Sequence, residues 1–179
     1  MTEIPPNPAR AIATPADLFA RLDQLGIATT TFDHPPAFTV DDLMQHADRM
    51  PGMHIKNLFL CDAKKKMWLV TLPHDRALDL KKLPAGIGSA RLSFGSADRL
   101  MRVLGIKPGS VSPFAAINDP DQQVKVVFDS TMMSSDIINA HPLVNTQTTA
   151  IRPADLIRFL ESCGHRPQIL DLSQYAPAG

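Results

Sequence analysis

The chain has 179 residues, 44% hydrophobic and 20% charged, with 18 Lys+Arg against 18 Asp+Glu. That is the length and composition of one globular domain with a sizeable core. No apolar run reaches the roughly 18 residues of a membrane span, the start Met1-Thr2-Glu3-Ile4-Pro5-Pro6 lacks signal-peptide character, and Cys61 and Cys163 have neither disulfide-framework nor metal-type spacing. The expectation is a cytoplasmic protein, away from membranes.

Residues 1–13, rich in Pro and Ala, read as a loose arm ahead of a single domain over 14–179. Thr14-Pro15-Ala16-Asp17 has the N-cap, first-turn proline and following acid of a helix start; Leu18, Leu22 and Leu25 keep helical spacing to Gly26. Ile27 to Phe32 is β-branched and predicts a strand, ended by His34-Pro35-Pro36. Thr39-Val40-Asp41-Asp42 starts a second helix, expected to run to Met50-Pro51-Gly52. The apolar runs His54–Asp62 and Met67–Leu72, joined by Lys64-Lys65-Lys66, predict a β-hairpin buried on both faces. A short helix is expected over Asp79–Leu83 and a strand over Arg91–Phe94. Ser96 caps a helix through Leu104, terminated by Gly105. Val124–Asp129 reads as a buried strand and Gln147–Ile151 as a short one. Pro153 opens a helix carrying Leu156, Leu160 and Cys163, and Gln168–Leu172 closes the chain as a strand. Helices and strands interleave around a hairpin, so the fold class is α/β (α+β), a mixed sheet with helices packed on it.

The zero net charge is unevenly spread. Residues 1–55 hold three basic and seven acidic side chains, 56–107 eleven and four, and 108–179 four and seven. A basic central third gives a neutral molecule a face suited to a polyanion, or merely a solvated surface. The common catalytic signatures are missing: Gly86-Ile87-Gly88 lacks a third glycine, and HExxH, CxxC and G-x-S-x-G patterns do not occur. What remains are polar residues in apolar settings. Lys56 and Asn57 interrupt the front of the first hairpin strand, where a lysine either reaches the rim or lines a cleft. Lys107-Pro108-Gly109-Ser110-Val111-Ser112-Pro113-Phe114 is a rigid loop with hydroxyls and free amides. In Asn139-Ala140-His141-Pro142-Leu143-Val144-Asn145-Thr146 the proline holds His141 extended. Thr148 and Thr149, just after it, are strand formers or ligands.

These three segments, with His34-Pro35-Pro36-Ala37-Phe38-Thr39-Val40, resemble in order and spacing the YbaK-type aminoacyl-tRNA deacylases, relatives of the editing domain of bacterial prolyl-tRNA synthetase. The likeness runs from about residue 14 to 172 and is greatest to the free-standing ProX-type branch. Asn139 stands where related editing domains often carry glycine. The resemblance implies a mixed, partly barrel-like β-sheet surrounded by helices, and hydrolysis of mischarged Ala-tRNA(Pro) at the terminal ribose, without metal or other cofactor. It implies Lys56 and His141 as the catalytic pair. Asn57, Gly109, Ser110, Ser112 and Pro142 would form the substrate pocket, and Arg91, Lys81 and Lys82 would meet the tRNA acceptor stem. Prolyl-tRNA synthetase or an elongation factor would be further partners. Deacylation of Cys-tRNA or Ser-tRNA and a non-catalytic nucleic-acid-binding role are the alternatives. Water and a neighbouring ribose hydroxyl both stand as the nucleophile.

Overall fold

The computed structural model describes residues 11–178; the arm expected over 1–13 therefore lies outside the described residues as far as residue 10. Its elements are α1 (Pro15–Gln24), β1 (Thr30–Asp33), α2 (Val40–Met44), β2 (Met53–Asp62), β3 (Met67–Pro73), α3 (Leu83–Ile87), β4 (Leu92–Phe94), α4 (Ala97–Leu104), β5 (Val124–Asp129), β6 (Ile138–Ala140), β7 (Gln147–Ile151), α5 (Pro153–Ser162) and β8 (Gln168–Leu170). Both early helices begin as the sequence dictates. Thr14 and Thr39 accept from the backbone N–H of Asp17 and Asp42, whose carboxylates accept in return from the cap N–H, so two otherwise orphaned donors are satisfied at each start. The hairpin turn is held by Asp62, whose Oδ1 accepts from Lys64 N and Lys66 N, both at 2.9 Å.

Several boundaries differ from expectation. β1 starts at Thr30 because Ile27 first turns back to close α1, its N–H donating to Leu22 O at 3.0 Å. α2 ends at Met44 and a separate 3-10 turn, Ala47–Arg49, completes the segment, so the long second helix is broken. The helix expected over Asp79–Leu83 lies at Leu83–Ile87, where Pro84 sits in the first turn, the position where its missing N–H has no consequence. The last strand stops at Leu170 and a 3-10 turn follows.

The strands form one mixed sheet in the order β1-β7-β6-β2-β3-β5-β8, with β4 also on β2. β1 and β8 are its edges, so the mixed sheet is as expected but not closed into a barrel. Side chains alternate between its faces. Ile55, Phe59 and Leu69 face the larger core, with Leu18, Leu104, Phe114, Leu156 and Phe159. There the Phe114 and Phe159 rings meet edge to face at 5.4 Å. Leu60, Trp68, Val70 and Leu72 face a second core with Leu83 and Leu172. The hairpin is therefore covered on both sides, and only the front of β2 departs from that pattern.

Candidate active site

β3 follows β2 without a break, from Ile55↔Pro73 to Cys61↔Met67. The opposite edge of β2 is shared. Met53 and His54 pair with β6, in parallel, and Leu60 to Asp62 pair with β4. Between these two neighbours, Ile55 to Leu58 have a strand on one side only. Over this stretch lies the 108–112 loop, tied down by Asn57. Its Nδ2 donates to Val111 O at 3.1 Å, and its Oδ1 accepts from Thr71 Oγ1 at 2.7 Å. One amide thus fixes strand β3 and loop to β2.

The opening that results is a cleft of about 140 Å³. Ile55, Lys56 and Asn57 form its floor; Pro108, Gly109 and Val111 one wall; Ala37 to Val40 and Leu43 the other; His141 also lines it. Gly109 matters because a Cβ there would stand 3.3 Å from Phe38 Cδ1 and 3.4 Å from Asn145 Nδ2, so any side chain would narrow the mouth. Phe38 itself is 73% exposed.

His141 is placed by its surroundings. Its Nδ1 lies 2.8 Å from Gln147 O, and a carbonyl can only accept, so the proton sits on Nδ1 and Nε2 keeps its lone pair. Burial lowers its pKa most, and the neighbouring His34 ring, 6.0 Å away, lowers it further, which keeps the imidazole neutral. His34 is itself locked, Nδ1 donating to Pro35 O and Nε2 sharing a hydrogen bond with Thr148 Oγ1, each at 2.8 Å. Backbone bonds of 3.0 Å from His34 N to Thr146 O and from Ala37 N to Asn145 O join the early loop to the loop after His141. Within that loop Leu143 has φ +70°, a conformation that costs a branched residue of order 1–3 kcal/mol and is held by these contacts.

Lys56 is half-buried. Burial lowers its pKa, and the nearby carboxylate of Asp75 acts in the opposite sense, favouring the ammonium. One cleft therefore carries a cation and a neutral imidazole. The cation can stabilise oxygen charge developing on a carbonyl, and the lone pair can orient a nucleophile. Among the described residues no three His, Cys, Asp or Glu side chains converge to hold a metal ion.

The structure thus gathers Lys56, Asn57, Gly109 and His141 around one space. Ser110, Ser112 and Pro142 do not line it. Ser110 is buried within the loop, and Ser112 is fully buried with Oγ accepting from Phe114 N at 3.2 Å, capping a 3-10 turn. Pro142 is buried beside His141. Lys81, Lys82 and Arg91 are exposed but stand apart from the cleft; Lys82 Nζ donates to Ala176 O at 3.0 Å. Arg91 precedes β4, beside Ala63 just past the far end of β2, and seven strand positions at ~3.3 Å each put it roughly 23 Å from Lys56. Sequence reasoning quoted Ala37 and Phe38 in the early loop and Val111 in the 107–114 loop without placing them in the pocket, and did not single out Leu43 or Asp75. The Pro35-Pro36 pair, which stiffens the loop, was the available signal for the first two.

Residues 34–159 match the aminoacyl-tRNA editing domain family. The chain is 37% identical over 166 residues to prolyl-tRNA synthetase associated domain-containing protein 1 of Danio rerio, covering 89% of this chain and 90% of that one. It is 35% identical over 156 residues to prolyl-tRNA editing protein ProX of Acetoanaerobium sticklandii, covering 87% and 95%. A solved structure of a candidate trans-editing enzyme for prolyl tRNA synthetase superposes with a TM-score of 0.68 at 17% identity, over 90% of this chain and 98% of that one; the likeness is one of fold. The open sheet, the cleft beneath the 108–112 loop and a match across most of the length place the chain in the aminoacyl-tRNA editing domain family, enzymes that hydrolyse the bond between an amino acid and its tRNA.

Proposed function

We propose that this chain removes alanine from mischarged proline tRNA, acting as a free-standing deacylase on the ester to the terminal ribose. The observation that carries the reading is the narrow cleft, about 140 Å³, in which Lys56 and a neutral His141 share the lining. A space of that size suits a small aminoacyl group. A synthetase that selects proline gains only about 1–3 kcal/mol per methylene against a smaller competitor, so a second and tighter sieve is chemically useful. The names of the prolyl-tRNA-related relatives support the same tRNA.

In this reading the Lys56 ammonium binds the carbonyl region of the ester or the adjoining phosphate. Backbone amides of the 109–113 and 141–143 segments orient the aminoacyl group. Phe38, exposed at the mouth, is a platform for the terminal base, since stacking on an aromatic ring suits any base. The acceptor stem lies over exposed cations of the central third, held mainly through phosphates, so affinity falls as salt rises. The mischarged tRNA would come from prolyl-tRNA synthetase or be shared with an elongation factor.

The test is single-turnover hydrolysis of alanyl-, prolyl-, cysteinyl- and seryl-tRNA. Rapid loss of alanine alone, reduced ~10²–10³-fold by Lys56→Ala, is the expected result. Rapid loss of cysteine or serine instead would move the substrate and keep the chemistry. An unchanged rate in Lys56→Ala would remove the lysine from the reaction.

A further inference from the structure

A larger cavity, about 560 Å³, opens beside the cleft, a volume usual for a ligand site. Its lining includes Met44, Asp48, Met53, His54, His74 and Asp75. The two spaces meet at α2, where Leu43 lines the cleft and Met44 the cavity. They also meet along β2. His54 and Lys56 are two positions apart on that strand, so they share a face about 7 Å apart, one in each space. Asp75, whose carboxylate acts on the Lys56 ammonium, lines the cavity.

The cavity has a built frame. His54 Nε2 donates to Met50 O at 2.9 Å, tying the end of the Ala47–Arg49 turn to β2. His74 donates twice to His54 O, from its backbone N–H at 3.0 Å and from Nδ1 at 3.2 Å, which fixes the turn after β3. Gly52, also in the lining, has φ +111°, and a Cβ there would stand 2.8 Å from Ile137 Cγ2, so only glycine closes this side. On the frame sit two exposed carboxylates, Asp48 and Asp75. Burial holds the His54 pKa below its usual value, so that ring brings no charge, and no Lys or Arg among the described residues lines the space. An acidic space repels phosphate and attracts donors. Met44 and Met53 add polarisable sulfur, which suits the flat face of an aromatic ring. Together these groups describe a site for a heterocycle with an exocyclic amine, the group that separates cytosine from uracil and that a carboxylate accepts from in base-edge readout.

We propose that this cavity is a nucleobase subsite for the penultimate nucleotide of the substrate tRNA, a cytidine, with Asp48 accepting from its N4 amine. The inference rests on the deacylase reading above and adds a base contact to it. The ester enters the cleft, the terminal base lies at Phe38, and the next base enters the cavity. The phosphate linking the two nucleotides then falls beside Lys56, the cation at the junction of the two spaces.

The experiment uses the whole chain, wild type and Asp48→Asn, with alanyl-tRNA(Pro) carrying cytidine or uridine at the penultimate position. Single-turnover rates are read below saturation and corrected for enzyme-free hydrolysis. Uridine puts an oxygen where the amine was, facing a carboxylate, so the wild type should hydrolyse that ester about tenfold more slowly. Asparagine can donate to this oxygen, so Asp48→Asn should bring the two esters within about twofold of each other. Equal wild-type rates would overturn the proposal. So would an Asp48→Asn variant that slowed both esters and kept the preference, which would leave Asp48 a general electrostatic influence. A demand for the amine at the terminal base instead, read by replacing that adenine with unsubstituted purine, would give the cavity to the terminal base and overturn it too. Binding is read separately from turnover. With isotopically labelled methionine methyl groups, the dinucleotide CpA should shift the Met44 and Met53 signals more than UpA does and leave Met101 and Met132 in place. Unmoved Met44 and Met53 would overturn the proposal even if alanine were released. Those shifts in a chain that left alanyl-tRNA intact would keep the base subsite and defeat the deacylase reading alone.

Discussion

The two halves of β2 share one strand and one continuous partner, β3, yet behave as different materials. From Phe59 to Asp62 every residue is buried, with β4 alongside and a core on each face. From Lys56 to Leu58 the strand is only half-buried, because β6 stops at His54 and β4 begins at Leu60. The chemistry occupies the interval between two short neighbours. A strand flanked by one long partner would have filled that edge with a ladder and left no room for a loop to roof a cleft. The comparison teaches that the site comes from where pairing stops as much as from which residues are present.

The largest expected effect tests the closed half. Leu60 is fully buried against Trp68, Val70 and Leu83, so Leu60→Ala removes apolar contact and leaves a cavity, at a cost of about 3 kcal/mol. Chemical denaturation should register that loss, while the hydrolysis rate per folded molecule stays within twofold of wild type. A rate that fell with the stability would mean that the two halves are mechanically coupled, and the contrast drawn above would be wrong.

The open half should respond in the reverse way. Asn57→Ala removes two side-chain hydrogen bonds, to Val111 and from Thr71, in a partly solvated position. The stability loss should be about 1–2 kcal/mol, smaller than for Leu60→Ala. Single-turnover hydrolysis should nonetheless fall about tenfold, since the 108–112 wall is no longer pinned over Lys56. A variant that lost stability alone would show Asn57 to be scaffold.

What the sequence disclosed follows the same division. The hairpin, both capping boxes, the Ser96 and Pro153 helices and the buried β5 are local signals, a cap or a period, and are found where expected. β6 was invisible as a strand. Three residues carry no periodicity, and Ile138–Ala140 is a strand only through its partners on either side. Lys56 and Asn57 stood out because polar residues interrupt an apolar strand, whereas Gly109 and His141 sit in proline-stiffened loops and were tied to the pocket by the family resemblance. Ala37 and Leu43 line the cleft as ordinary apolar residues, which no sequence pattern separates from core. Ser112 looked like a pocket hydroxyl because a cap and a ligand have the same chemistry; only burial and the bond to Phe114 distinguish them. Asp75 acts through space on Lys56 from the turn after β3, nineteen positions further along the chain.

Asp75 supplies the smallest effect and the sharpest sign. Burial alone lowers the Lys56 pKa, and the Asp75 carboxylate opposes that by favouring the ammonium. If the charged lysine is the working form, activity is complete below its pKa and is lost as pH rises through it, beginning below the ordinary lysine range. Asp75→Asn withdraws the opposing charge, so the pKa drops further and the alkaline limb of kcat/KM must move to lower pH. His141 governs the acid limb, where its imidazole gains a proton at a pH below the usual histidine value because burial and His34 disfavour the cation. That limb has no contribution from Asp75 and should stay in place, so the active range narrows from the alkaline side only. The profile must be corrected for spontaneous ester hydrolysis, which accelerates with pH. An alkaline limb that stayed fixed in Asp75→Asn would show that Lys56 acts through something other than its charge, and would return the open half of β2 to a question of shape.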